Sequence, residues 1–223
     1  MLRELLSIFS SGNPLKAMAD NFAEMLRLSH ALTLKTGAMY FEKSEVAEDR
    51  TWVYETDVAI NKLERVIRKQ VIAHLAVSGN SANLPYVLAL MSLVKDVERI
   101  GDYAKNLSEV VDFSPAPLPD DERVAELREI RTGMEAIFKA TERVIADSDD
   151  ARALELIHQG RDLSHRADVL VTNVARGPYD AGTAAGLVLG ARYFKRIDAH
   201  VVNVLTSVVM PLHKLDYYDE DEA

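Results

Sequence analysis

Two short stretches of the sequence carry oxygen-bearing side chains at helical spacing. Glu98 and Asp102 are four residues apart, so a helix would place both carboxylates on one face. Asp57, Asn61 and Glu64, at intervals of four and three residues, form a second stripe of this kind. Carboxylates that are brought together repel one another and need a cation between them, and oxygen-only ligands suit Mg²⁺, Mn²⁺ or iron. If the two helices are neighbours, the pattern predicts a metal site.

The same spacing is also typical of an ordinary helix surface that faces solvent. Arg99 and Lys105 lie close to the acids in the sequence and can pair with them at little gain in stability. The residues by themselves therefore leave two interpretations open, a metal site and a solvated charged face.

Histidines supply another group of candidate ligands in the second half of the chain. His158, Asp162 and His165 lie near one face of a predicted helix. This spacing indicates either metal ligands or polar residues at a surface or a helix contact. His200 lies in a strongly apolar stretch, where we expect a hydrogen-bonded core or boundary residue.

Composition and missing motifs exclude several functional classes. The chain has 223 residues, a net charge of −9 and no cysteine, so it has no thiolate zinc site and lacks the basic character of a nucleic-acid binder. It contains no P-loop, GxGxxG, HExxH or nucleophile-elbow motif. A di-iron carboxylate enzyme needs Glu-x-x-His on each of two helices, and we expect neither copy in this chain. We therefore predict a protein that is not an enzyme.

The elements that would position these residues are long helices. Glycine and proline cluster at a few places, and Asn13-Pro14 and Gly79 are typical of a helix start and a helix end. The predicted helices span about 14–41, 45–77, 84–112, 121–146, 151–176 and 183–215. A linker with Pro115, Pro117 and Pro119 separates them into two sets of three. The expected fold is all-α, with two tandem three-helix bundles built from six long antiparallel helices.

The two sets of helices share a short sequence match. The third predicted helix contains ERIGDYAKN at 98–106, and the sixth contains KRIDAHVVN at 195–203, with Arg-Ile and an asparagine at the same places. The match within a matching three-helix layout predicts an internal repeat. The expected domains are 1–114 and 120–216, followed by an acidic tail at 217–223.

Gly101 interrupts the acidic stretch of the third helix. A glycine inside a helix costs about 1 kcal/mol relative to alanine, so a compensating contact is expected. Gly101 and the nearby Ala104 are both small. We predict that this small surface lets the second helix approach closely and brings its acids towards Glu98 and Asp102.

The segment KDVERIGDYAKNLSE at 95–109 resembles the signature of the PhoU family of phosphate-signalling proteins, and DVAINKLE at 57–64 resembles that family's other recurring segment. The resemblance covers nearly the whole chain and implies two tandem three-helix bundles. It also implies a divalent metal ion, of which iron, zinc, manganese and magnesium are the candidates, bound at acid-x-x-x-Asp motifs on an exposed face, with one set of motifs in each bundle. In this chain these positions are Glu98 and Asp102, with Asp57, Asn61 and Glu64 as contributors from the second helix.

The second half departs from the family pattern at the metal motif. Lys195 stands where the acid is expected, and Ala199 stands where the aspartate is expected. Asp198 is displaced by one position, which rotates it by about 100° around the helix. Metal is therefore expected in the first half, and the second half is expected to bind it weakly or not at all.

The resemblance implies a regulator of phosphate transport and phosphate-starvation signalling that acts through protein contacts. The implied partners are a phosphate transporter ATPase and a sensor kinase at the membrane, with no nucleic acid. The start LRELLSIF is not a signal peptide, so we expect a cytoplasmic protein that associates with the membrane peripherally, through its partners. A homo-oligomer is compatible with these features. The alternative is a metal-free helical adaptor associated with another phosphate or ion transporter.

Overall fold

The computed structural model describes residues 14–42, 47–78, 83–112 and 117–215. Those ranges contain six α-helices, two short 3₁₀ turns at Val110–Asp112 and Leu212–Lys214, and no strand. The α-helices are α1 (Pro14–Glu42), α2 (Ala47–Ser78), α3 (Leu84–Glu109), α4 (Glu122–Asp147), α5 (Asp150–Ala175) and α6 (Ala181–Val209). The predicted all-α fold of two three-helix bundles is confirmed.

Local sequence signals explain the observed helix ends. The Asp121 carboxylate accepts hydrogen bonds from the backbone N–H groups of Arg123 and Val124, which caps α4. The sixth helix was predicted to reach residue 215 but ends at Val209. Met210 is extended, with φ −100° and ψ 147°, because the following Pro211 disfavours helical geometry at the residue before it.

Several sequence predictions lie outside the described residues. These are the N-terminal LRELLSIF segment, the helix end at Gly79, the linker residue Pro115 and the acidic tail. The division into domains 1–114 and 120–216 stays a prediction. Buried apolar side chains of both halves form one continuous core.

The two halves meet mainly through their third helices, α3 and α6. His200 Nδ1 lies 2.8 Å from Asp96 Oδ1, and the Tyr103 and Tyr193 ring centroids are 6.2 Å apart. Tyr103 also stacks on His200, with a centroid distance of 5.7 Å. The sequence interval between the matching residues Arg99 and Arg196 also separates Asp96 from Tyr193 and Tyr103 from His200. A two-fold relation between the halves therefore converts the Asp96–His200 contact into the Tyr193–Tyr103 contact, which supports the predicted repeat.

No helix within the described ranges is long and apolar enough to cross a membrane.

Candidate functional site

The two predicted acid stripes lie beside each other at the contact between α2 and α3. Gly101 is buried there and faces Ile60 of α2. A Cβ atom at Gly101 would lie 3.1 Å from Ile60 Cδ1, which is tighter than an ordinary contact. The prediction that this glycine allows the helices to approach closely is confirmed.

The close approach buries the acids more deeply than the sequence suggested. The stripes were expected on an exposed face, but Asp57 and Glu64 are only 7% and 8% exposed. The side chains of Glu98 and Asp102 are 12% and 26% exposed. The expectation of an exposed face is wrong because the missing side chain at Gly101 draws α2 over the flank of α3.

Lys105 of α3 joins the two stripes. Its Nζ donates a hydrogen bond of 3.1 Å to Asp57 Oδ2 and lies 3.7 Å from Asp102 Oδ1. Asn61 Nδ2 lies 3.4 Å from the same Asp57 oxygen. Burial lowers the pKa of Lys105, but the hydrogen bond to Asp57 and the nearby negative charges outweigh it, so the pKa is raised overall. The ammonium group of Lys105 therefore lies between the carboxylates of Asp57 and Asp102, the inner carboxylates of the two stripes.

Other basic side chains form ion pairs with Glu98, Asp102 and Glu64. The Lys95 ammonium lies 2.6 Å from Glu98 Oε2, and the Arg99 guanidinium lies 3.1 Å from Asp102 Oδ2. Arg68 lies 2.8 Å from Glu64 Oε1, as an ion pair that is not aligned as a hydrogen bond. Each acid of the predicted metal site therefore has a cationic partner.

These contacts test whether a divalent metal fits. Carboxylate oxygens are suitable donors for the metals named above, but every one of these carboxylates faces an ammonium or guanidinium group. Among the described residues, no group of three or more histidine, aspartate or glutamate side chains is placed to hold a metal ion. As arranged, the five predicted ligands do not fit a metal centre.

The histidine stripe of the second half does not converge. His158 and Asp162 border a shallow hollow with Leu163, whereas His165 borders a different hollow beside Arg166. The stretch from Glu155 to His158 does contain one Glu-x-x-His motif, and its glutamate pairs with Arg152.

Lys195 and Asp198 mark how the second half differs from the first. Lys195 pairs with Asp168 of α5, and Arg192 lies 3.2 Å from the same carboxylate. Asp198 was considered a displaced ligand, but it is only 1% exposed and points into the contact between α5 and α6. Ser164 Oγ donates to Asp198 Oδ2 at 3.2 Å, and Oδ1 is buried without a hydrogen-bond partner among the described residues.

The burial of Asp198 follows from an exchange of residue sizes between the halves. By the repeat interval, Asp198 stands at the position of Gly101, and the glycine of this contact, Gly160, lies on α5. A Cβ atom at Gly160 would lie 3.2 Å from both carboxylate oxygens of Asp198. Burial raises the pKa of Asp198 to about 7, and the Ser164 hydrogen bond opposes that shift. The repeat alignment was the sequence signal that could have indicated this buried position.

Asp96 is a functional candidate that sequence reasoning missed, although it lies inside the quoted 95–109 segment. It is 7% exposed, and its Oδ1 accepts a 3.0 Å hydrogen bond from Asn203 Nδ2 and contacts His200 Nδ1. His200 is the boundary residue expected from the sequence. Its partner Asp96 is 104 positions away in the chain, so no local pattern could reveal the pair.

Replacement of Asp96 by alanine is expected to lower the free energy of unfolding by about 1–3 kcal/mol, because it leaves partly buried polar groups of His200 and Asn203 without their partner. Urea unfolding of Asp96→Ala, His200→Ala and the double variant measures the coupling. Asp96→Asn is the control, since it keeps a side-chain oxygen for Asn203. Fully additive effects would contradict a direct Asp96–His200 interaction.

Comparison with known proteins identifies a family domain in the first half of the chain. The family model "PhoU domain" matches residues 15–111, whereas no curated protein gives a significant match. The crystal structure of PhoU from Pseudomonas aeruginosa is similar with a TM-score of 0.78 at 18% identity, covering 90% of this chain and 97% of that one. The phosphate transport system regulatory protein PhoU from Streptococcus pneumoniae is similar with a TM-score of 0.76 at 15% identity, covering 91% and 94%. The predicted PhoU resemblance is thus confirmed: the chain carries a PhoU domain in its first half, and both halves together have the fold of PhoU proteins.

Proposed function

We propose that this protein is a non-enzymatic regulator of phosphate transport and phosphate-starvation signalling, acting in the cytoplasm. The observation that carries the proposal is the PhoU domain match at residues 15–111 within a chain of PhoU fold. One structural neighbour is itself described as a phosphate transport system regulatory protein. The proposed partners are the ATPase of a phosphate transporter and a sensor kinase at the membrane.

The chemistry of the described residues supports a binding role. The groups in which burial raises the pKa most are Tyr40, Tyr86 and Asp198, which pack within helix contacts. They lie in packed interfaces and not together in a cleft, which is where catalytic groups with shifted pKa values are usually gathered. Of the four carboxylates in the two acid stripes, those of Glu98 and Asp102 are the more exposed, and both are paired with basic side chains.

The outer face of α2 is the surface that we propose for partner contact. It exposes Lys62, Arg65 and Lys69, between Val58 and Ile72, which are 44% and 65% exposed. These five residues extend along about 21 Å of helix. A basic and apolar stripe on a chain of net charge −9 suits an acidic surface on the transporter ATPase.

The experiment is complementation of a strain of the source organism that lacks this gene. In phosphate-rich medium the deletion is expected to raise a phosphate-starvation reporter severalfold, and the wild-type gene is expected to restore repression. The triple variant Lys62→Glu, Arg65→Glu, Lys69→Glu is expected to fail because it repels an acidic partner. A matched triple reversal at the exposed Lys139, Arg143 and Arg152 serves as the control.

Two results would contradict these statements separately. A reporter that does not respond to the deletion would contradict the regulatory function. Equal repression by the two triple variants would contradict α2 as the contact face and leave the regulatory function standing.

The second candidate function is a metal-free adaptor for another phosphate or ion transporter. The ion pairs that occupy the predicted metal ligands favour its metal-free character. Altered uptake of a different ion in the deletion strain, with phosphate uptake unchanged, would support this alternative.

A further inference from the structure

We infer that Lys105 supplies the cation that the α2–α3 acid stripes require, and that its ammonium group closes this site to divalent metals in the wild-type protein. The inference concerns this chain's own residues and does not depend on the proposed regulatory function.

The position of the ammonium group carries the inference. Lys105 Nζ contacts Asp57 of α2 at 3.1 Å and Asp102 of α3 at 3.7 Å, so it lies between the inner carboxylates of the two stripes. A divalent ion held by the same oxygens would lie about 2.0–2.6 Å from them. It would then be next to the ammonium group, and the two positive charges would repel each other in a partly buried site.

Lys105 differs from the other cations around the site. Lys95, Arg99 and Arg68 pair with acids three or four residues away on their own helices, and their side chains are 41%, 47% and 41% exposed. Such side chains can swing into solvent at little cost. The Lys105 side chain is 21% exposed and joins two helices, so it is the cation that a metal would have to displace.

The stripes keep the donors that a metal needs once Lys105 is removed. Asp57 and Asp102 each offer a carboxylate, and Asn61 lies beside Asp57. Without the ammonium group, Asp57 loses its cationic partner, and Asp102 keeps the Arg99 guanidinium, whose side chain is 47% exposed. This arrangement favours binding of a hard divalent cation.

The test is titration of the full chain with Mn²⁺, followed by calorimetry and by the Mn²⁺ electron paramagnetic resonance signal. Lys105→Met is expected to bind Mn²⁺ at least tenfold more tightly than the wild type, and adding Asp57→Asn is expected to remove that gain. Lys95→Met is the matched control and is expected to resemble the wild type, because it deletes an ammonium group that pairs with Glu98 on its own helix. Lys105→Arg keeps the positive charge, so this variant is expected to bind Mn²⁺ no more tightly than the wild type.

Two outcomes would overturn the inference. One is wild-type binding of Mn²⁺ as tight as that of Lys105→Met, which would show that the ammonium group does not close the site. The other is a folded Lys105→Met protein that gains no affinity, which would show that the stripes do not form a cation site. If Lys105→Met does not fold, Lys105→Gln is titrated instead and judged by the same two outcomes.

Discussion

Asp198→Asn is expected to raise the free energy of unfolding by about 1–3 kcal/mol at pH 8 and to change it little at pH 4. The carboxyl group of Asp198 is buried, its Oδ1 has no hydrogen-bond partner in the part of the chain that the structure describes, and its pKa is raised from 3.8 to about 7. Burial therefore disfavours the ionised form. Asparagine keeps an oxygen for the Ser164 hydroxyl and carries no charge, so it removes this penalty.

The direction of the pH dependence follows from proton linkage. The folded protein holds the Asp198 proton more tightly than the unfolded chain, so the stability contributed by the protonated group is fully present below pH 3.8. It is lost as the pH rises from 3.8 to about 7. At 1.36 kcal/mol per pKa unit, the loss over this window is about 4 kcal/mol. Asp198→Asn is expected to recover only part of this lost stability, because the buried asparagine N–H₂ group also needs hydrogen-bond partners.

Urea unfolding between pH 4 and pH 8 measures this effect. Asp168→Asn is the control with the opposite sign, since the hydrogen bond from Lys195 lowers the pKa of Asp168 in spite of burial. That variant is expected to lose a little stability above the ordinary pKa of aspartate. Equal stability of wild type and Asp198→Asn at pH 8 would contradict a buried, unpaired carboxylate.

Gly190→Ala is expected to lower the free energy of unfolding by about 1–3 kcal/mol or more, although alanine favours a helix by about 1 kcal/mol. A Cβ atom at Gly190 would lie 2.5 Å from Tyr40 Cζ and 2.9 Å from its Cε2. Tyr40 is fully buried, and its hydroxyl donates a 3.0 Å hydrogen bond to the Gly186 carbonyl. Its ring packs edge-on against both Phe41 and Phe194.

Gly37→Ala is the matched control for Gly190→Ala. The nearest atom to a Cβ there is Arg131 Nε at 2.9 Å, part of a flexible side chain that can shift. Its effect is expected within about 0.5 kcal/mol in urea unfolding, because the helix propensity of alanine offsets a small movement of Arg131. A Gly190→Ala protein as stable as the wild type would show that Tyr40 is not fixed at this contact. Tyr40→Leu should relieve the clash, so the effects of Gly190→Ala and Tyr40→Leu on the free energy of unfolding are expected to be non-additive.

Features that depend on neighbours along the chain were accessible from the sequence. Helical periodicity and local caps predicted the six helices within a few residues at most ends, because both act over a single turn. The exception was α6, where Pro211 ends the helix at Val209. Gly101 also predicted a close helix contact correctly, because the cost of a glycine inside a helix indicates a compensating contact.

The partners of the charged residues were decided by the tertiary structure. Spacing showed that Glu98 and Asp102 share a helix face, but it could not show that Lys105 reaches Asp57 on another helix, 48 positions away. The rotation of α2 against α3, set by the contact between Ile60 and Gly101, determines which charges meet. For the same reason Asp198 is buried against Gly160 instead of facing a metal: the apolar packing of α5 on α6 places it there, and no local spacing records which side of a helix another helix will cover.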